Sequence, residues 1–127
     1  HSRSATLVST ACFLAGLPKV KTEINGSSQI AWRPQQVLHY IQWKSIEPNF
    51  VIDISEHIET KIQAVKAYKS QFYNPDSEEK ETPISSQQFI DSVSYRAADL
   101  GRLIGVEYAE GFTSEKLIGL ASLEVLL

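Results

Sequence analysis

Residues 48–72 read "PNFVIDISEHIETKIQAVKAYKSQF", and the spacing of the apolar residues changes inside that stretch. Phe50 to Ile54 form a short apolar run, which predicts a strand. Beyond it Ile58, Ile62, Val65, Tyr68 and Phe72 recur every three or four positions. That stripe predicts a helix from Glu56 to about Phe72, with Ser55 as its N-cap. A strand that passes directly into a helix is the building unit of layered α/β folds.

Upstream, "QQVLHYIQW" (residues 35–43) is rich in β-branched and aromatic residues and predicts a second strand. Val37, His39, Ile41 and Trp43 would face one way, Leu38 and Tyr40 the other, so the strand is expected to be covered on both sides. "KVKTEINGSSQIAWRP" (residues 19–34) has no sustained period and reads as a loop. From Ser4 to Ala15 the residues Leu7, Val8, Ala11, Leu14 and Ala15 make a helical stripe. Ser2 and Ser4 are ready caps, and Gly16 with Pro18 ends the helix.

Downstream, "YNPDSEEKETP" (residues 73–83) is a charged, solvated loop. Ser85 and Gln88 stand at capping-box spacing before a third helix, whose buried side is expected to carry Phe89, Val93, Ala97 and Leu100. Gly101 lies near its end, and "LIGVEY" (residues 103–108) supplies a last extended segment before "AEGF" and a leucine-rich tail. The order is helix, strand, strand, helix, helix, strand. The chain therefore reads as α/β, one domain or part of one over residues 1–127, without repeats. Three strands are few for three helices, so part of the sheet is expected outside the sequence.

The composition bounds the function. Net charge is −3 and the densest charge run, Asp76 to Glu81, is acidic. Phosphate neutralisation needs clustered Lys and Arg, so nucleic acid is not an expected partner. No apolar run approaches the roughly 18 residues of a membrane helix. The single cysteine, Cys12, has no internal disulfide partner, which fits a reducing compartment, with the cytoplasm as the expected location. The chain contains no methionine at all and is expected to be a fragment.

Few residues suggest chemistry by themselves. The histidines are His1, His39 and His57, without the close ligand pairs frequent in zinc sites. His39 reads as a packed strand residue and His57 as exposed. His1 fits either a tag remnant or a functional residue ahead of a helix. Cys12 sits among apolar neighbours, where free cysteine is usually inert. No nucleophile elbow and no phosphate-cradling glycine loop is present. Asp53 ends a strand before a helix, where an acid either takes part in catalysis or simply accepts backbone N–H groups. Arg33, braced by Pro34, could grip a carboxylate through two parallel hydrogen bonds or be a plain surface charge. Glu107, Tyr108 and Glu110 cluster in "EYAEGF" (residues 107–112), where acid–base work and a solvated edge are both open.

Together "ACFLAGLPK", "RPQQVLHYI", "PNFVIDIS", "KIQAVKAYKSQF" and "IGVEYAEGF" resemble the C-terminal half of the LmbE-like (PIG-L) deacetylase family. The likeness is strongest to its bacterial N-acetylglucosaminyl-malate deacetylases of bacillithiol biosynthesis, and it covers nearly the whole chain in consistent order. The resemblance implies a Rossmann-like three-layer α/β fold of which this chain is the C-terminal half. In the family a His-Pro-Asp-His segment precedes a helix that begins as this one does, and its last histidine, a zinc ligand, matches His1. The other ligands and the general-base Asp belong to an N-terminal Ala-His-Pro-Asp-Asp-type motif that this sequence does not contain. The histidine thought to steady the tetrahedral intermediate, three residues before His1, also lies outside it.

The implied activity is Zn²⁺-dependent removal of an N-acetyl group from an N-acetylglucosamine conjugate, by attack of a metal-bound water deprotonated by an Asp. This chain offers one metal ligand, His1, and no catalytic residue of its own, so alone it is expected to be inactive. Arg33 matches an arginine at the family's active-site rim, and Tyr108 and Glu110 fall in its C-terminal motif near the pocket, which makes these three the candidate substrate-binding residues. The partners implied are an N-acetylglucosamine-containing small molecule and other copies of the protein, since family members often form hexamers. Phe89 stands where relatives carry a tyrosine suggested to help polarise the carbonyl. That departure keeps open a non-catalytic sugar-binding or interaction module of the same fold, beside a plain structural α/β subunit.

Overall fold

The strand-to-helix passage at residues 50–66 forms, but the helix starts later than the spacing predicts: Ser55, expected as its N-cap, falls in a 3₁₀ turn, and the α-helix begins at Ile58 with His57 at the cap position. In the computed structural model, which describes residues 2–42, 44–76, 78, 80 and 82–126, the chain is mixed α/β with small antiparallel pairings. It divides into two compact units, His1–Tyr40 with Thr113–Leu127, and Ile41–Phe112.

The first unit opens with α1 (Ser2–Ala15). Its stripe was expected to pack, yet none of its residues is buried, and Leu7 stays 69% exposed. The carbonyls at its C-terminal end find donors: Gly16 and Leu17 N–H donate to Phe13 and Leu14, and the Trp32 N–H donates to Ala15 O at 2.9 Å. Gly16 does not serve through a left-handed backbone, since only Gly26 and Gly105 among the glycines have positive φ. It serves by being small: a Cβ there would run into the Nε and Cβ of Arg33. Residues 19–34, expected as a loop, contain a hairpin of β1 (Glu23–Ile24) and β2 (Ser27–Ser28). Its turn is Asn25–Gly26 with φ 51 and 77°, the two positive values that match the twist of a tight hairpin.

The predicted strand over residues 35–43 shrinks to β3 (Leu38–Tyr40). Leu38 and Tyr40 are exposed and His39 half-buried, so one side of the strand is uncovered by the described residues. Trp43 lies outside them.

The second unit holds the core. β4 (Phe50–Asp53) leads through a 3₁₀ turn (Ser55–His57) into α2 (Ile58–Lys66), shorter than the helix expected to Phe72. β5 (Ala109–Ser114) runs antiparallel to β4 with Phe50 opposite Phe112 and Asp53 opposite Ala109. The two phenyl rings stack at 5.5 Å, a cross-strand pair that fixes the register. α3 (Gln87–Ile104) supplies Ile90, Val93 and Ala97, which with Ile58 and Ala109 are the buried apolar side chains among the described residues.

Two boundaries of α3 differ from expectation. Ser86, and not Ser85, is the N-cap: its hydroxyl accepts from the Phe89 N–H at 3.2 Å, while Ser85 bonds back to Thr82. The C-terminal stop is Gly105 at φ 78°, four residues past Gly101. The last strand consequently starts at Ala109, and "AEGF", expected after the strand, is its first part.

Candidate functional site

His1, the residue matched to a zinc ligand, lies outside the described residues. Each other candidate can be placed. In the first unit the Arg33 guanidinium sits against the end of α1: Nη2 donates to Phe13 O at 3.2 Å and the guanidinium carbon lies 5.0 Å from the Phe13 ring centroid. A cation there meets the negative end of the helix dipole. Arg33 thus has a structural task, and the residue remains exposed on its other side.

The same unit carries a cluster absent from the sequence reading. Glu115 Oε1 accepts from the Ser9 hydroxyl of α1 and meets His39 Nε2 of β3 at 2.8 Å. These contacts, Ser9 first and His39 second, hold the Glu115 carboxyl below the usual glutamate range. Serine and histidine both address the carboxylate, and no hydrogen bond joins them to each other among the described residues. The arrangement is therefore not a nucleophile activated by a base.

In the second unit Asp53 ends β4 and folds onto Ser55. Its Oδ1 accepts from the Ser55 hydroxyl at 2.6 Å and from the Ser55 N–H at 2.9 Å. The hydroxyl, and then the N–H, hold its carboxyl below the ordinary aspartate value. Ser55 Oγ in turn accepts from the Tyr108 N–H at 3.1 Å, and Tyr108 O accepts from the Ile54 N–H at 2.9 Å. Of the two readings of Asp53, the structure supports the acceptor of local N–H and O–H groups. Tyr108 enters this network through its backbone, and its side chain is half-buried.

Glu110 is engaged differently. It is the second residue of β5, and its Oε1 accepts from Lys61 Nζ of α2 at 2.6 Å, with 24% and 29% of the two side chains exposed. Beside the pair runs a groove of about 260 Å³ lined by Ile54, His57, Thr60, Lys61, Ala64 and Glu110. Residues 57, 60, 61 and 64 share one helix face. Lys61 escaped the sequence reading because its partner is 49 residues away. The only local signal was a polar residue interrupting the stripe beside Ile62.

Phe89 begins α3. Its ring stacks on Phe72 at 5.6 Å, and the Arg96 guanidinium lies 6.0 Å from the ring centroid. Burial lowers the Arg96 pKa, and its Nη1 donates to Gln42 O. Phe89 thus has the packing role of a helix residue on an aromatic partner.

Among the described residues no group of three or more His, Cys, Asp or Glu side chains could hold a metal ion. None of their helices is long and apolar enough to cross a membrane. No family model matches the chain. A solved structure, that of the conserved protein TT1542 from Thermus thermophilus, resembles it with a TM-score of 0.73 and 25% sequence identity, over 95% of this chain and 48% of that one. The chain spans about half the length of that protein.

Proposed function

We propose that this chain is the C-terminal part of a Zn²⁺-dependent hydrolase that removes the N-acetyl group from an N-acetylglucosamine conjugate, N-acetylglucosaminyl malate being the favoured substrate. In this reading the whole enzyme is a cytoplasmic homo-oligomer of Rossmann-like three-layer fold. The observation that carries it is the ordered set of sequence blocks from "ACFLAGLPK" to "IGVEYAEGF", with His1 immediately ahead of α1. The match of nearly all of this chain to about half of a longer protein supports a division of the domain between this segment and another.

The described residues do not form a metal site by themselves. The proposal therefore assigns the zinc to His1 together with ligands outside this sequence. What the described residues contribute is recognition: Arg33 as a cation at the end of α1, and Tyr108 and Glu110 close together at the start of β5.

One observation favours a second reading, a non-catalytic sugar-binding module. Phe89 carries no hydroxyl, and its ring is stacked on Phe72, so it cannot donate a hydrogen bond to a carbonyl. Zinc analysis and an acetate-release assay on the intact protein and its His1→Ala variant separate the two. The enzyme reading expects loss of zinc and of acetate release in the variant; retained metal and full activity would remove His1 from the site. A protein that binds sugar but releases no acetate in either form supports the second reading.

A further inference from the structure

The turn of the β1–β2 hairpin, Asn25–Gly26, is a reactive pair that the candidate site does not use. We propose that Asn25 is a site of spontaneous covalent modification, converted through a cyclic imide into aspartate and isoaspartate. The proposal is independent of the zinc reading and involves none of its residues.

The chemistry needs only the chain and water. The Gly26 backbone nitrogen, on losing its proton, adds to the Asn25 side-chain carbonyl carbon Cγ. The bond from Cγ to the side-chain nitrogen breaks, and that nitrogen takes up a proton and leaves as ammonia. Water then opens the succinimide at either carbonyl, giving aspartate at one and isoaspartate at the other. The net exchange is water in and ammonia out, with nothing oxidised or reduced. Each product adds a carboxylate two residues from Glu23. Isoaspartate also routes the main chain through the former side chain and lengthens it by one carbon. A two-residue turn no longer fits, and Ile24 cannot stay opposite Ser27.

The sequence holds three asparagines, Asn25, Asn49 and Asn74, and their surroundings separate them. Asn74 precedes Pro75, which has no N–H to lose, and its Oδ1 accepts from the Asp76 N–H at 3.2 Å. Asn49 precedes Phe50, whose side chain crowds the attacking nitrogen and whose backbone is held in the ladder opposite Phe112. Gly26 has no side chain, and even a Cβ built on it would meet nothing within 4 Å. Residues 21–33 are all exposed, so water and base reach the turn. Ring closure requires the Gly26 nitrogen to approach Cγ, a rotation of the Asn25 backbone that a closed two-residue turn resists. Here the resistance is small: the ladder consists of Glu23 with Ser28 and Ile24 with Ser27, and so short a two-stranded ribbon opens locally at low cost.

The test is peptide-mapping mass spectrometry of the intact protein held in mildly alkaline buffer. Isoaspartate is counted by transfer of a labelled methyl group from a purified isoaspartyl methyltransferase. Asn25 is expected to convert at least about tenfold faster than Asn49 or Asn74, because only its following residue lacks a Cβ. The rate is expected to rise with pH, since the attacking nitrogen must first lose its proton. Gly26→Ala strains a position at φ 77° and so favours an open hairpin, yet it is expected to slow conversion about tenfold by crowding the nitrogen. Asn25→Gln, whose longer side chain cannot close the same ring, is expected to remove the methyl incorporation. In NMR spectra of the isoaspartyl form the cross-strand contact between Ile24 and Ser27 is expected to vanish. Conversion at Asn25 no faster than at Asn49, a rate independent of pH, an undiminished rate in Gly26→Ala, or methyl incorporation that persists in Asn25→Gln would each overturn the proposal. An intact contact between Ile24 and Ser27 in the isoaspartyl form would overturn its structural consequence.

Discussion

Gly101→Ala sets two well-measured effects against each other. Inside a helix, alanine is favoured over glycine by about 1 kcal/mol, and Gly101 sits in α3. On propensity alone the variant would be more stable. Yet a Cβ at this buried position would lie 2.7 Å from Glu107 O and 2.8 Å from both Glu107 C and Val106 O. That is roughly 0.7 Å inside an ordinary van der Waals contact. The obstructing atoms are backbone, and the backbone is held: the Val106 N–H donates to Gly101 O at 3.0 Å, the Gly105 N–H donates to the same oxygen, and Gly105 sits at φ 78°. Side-chain repacking cannot relieve the overlap. Overpacking of this kind costs about 1–3 kcal/mol, and an unyielding neighbour puts the cost at the upper end. The net expectation is destabilisation by about 1–2 kcal/mol, which for a urea m-value of about 2 kcal/mol/M lowers the midpoint by roughly 0.5–1 M. Urea unfolding followed by circular dichroism measures it, with Gly119→Ala, where nothing lies within 4 Å, as the reference. A midpoint for Gly101→Ala equal to or above wild type would refute the reasoning.

Ile90→Ala empties a position that is 5% exposed and is expected to cost about 2–5 kcal/mol, read in the same urea experiment; a loss under about 1 kcal/mol would mean that the core collapses around the gap. The Asp53 carboxyl, followed by NMR, is expected to titrate below a free aspartate and to move up in Ser55→Ala, because the Ser55 hydroxyl is the largest of the contacts that lower it, ahead of the Ser55 N–H and the nearby His57. The sign follows from the lowered folded value: the Asp53 contribution is complete above the unfolded pKa of about 3.9 and is lost as pH falls through the lower folded one. An unmoved titration in Ser55→Ala would show that the hydroxyl is not what lowers it. Gly16→Ala is expected to push Arg33 off the Phe13 carbonyl, which amide exchange at the C-terminal turn of α1 would register as faster exchange; unchanged protection would show that Arg33 yields without consequence.

The sequence was most legible where one local signal had one meaning. The stripe from Ile58 to Val65 became α2, and Val93 and Ala97 became the buried side of α3, because helical spacing survives any tertiary arrangement. It was least legible where two residues competed for one task. Ser85 and Ser86 are both acceptable caps, and only the fold decides that Ser85 turns back to Thr82. Gly101 and Gly105 are both plausible helix ends, yet one glycine admits a neighbouring backbone and the other a positive φ. The Asn25–Gly26 turn was readable in principle, but only two residues pair on each side of it. Glu110 was singled out from the chain alone, whereas Lys61 and Glu115 acquire meaning only through partners 49 and 76 residues away.

The pairing of Phe50 with Phe112 bears on how quickly the second unit folds. Its two strands enclose α2 and α3 in sequence, so the ladder closes only after a loop of more than fifty residues has come together, whereas the hairpin at Asn25–Gly26 closes over two. Closure entropy grows with the logarithm of loop length, and contacts so distant in sequence slow folding relative to local ones. Earlier docking of α2 on α3 would shorten the effective loop that the strands must close. The two phenyl rings are therefore expected to pair late, so that replacing Phe112 by leucine speeds unfolding more than it slows refolding.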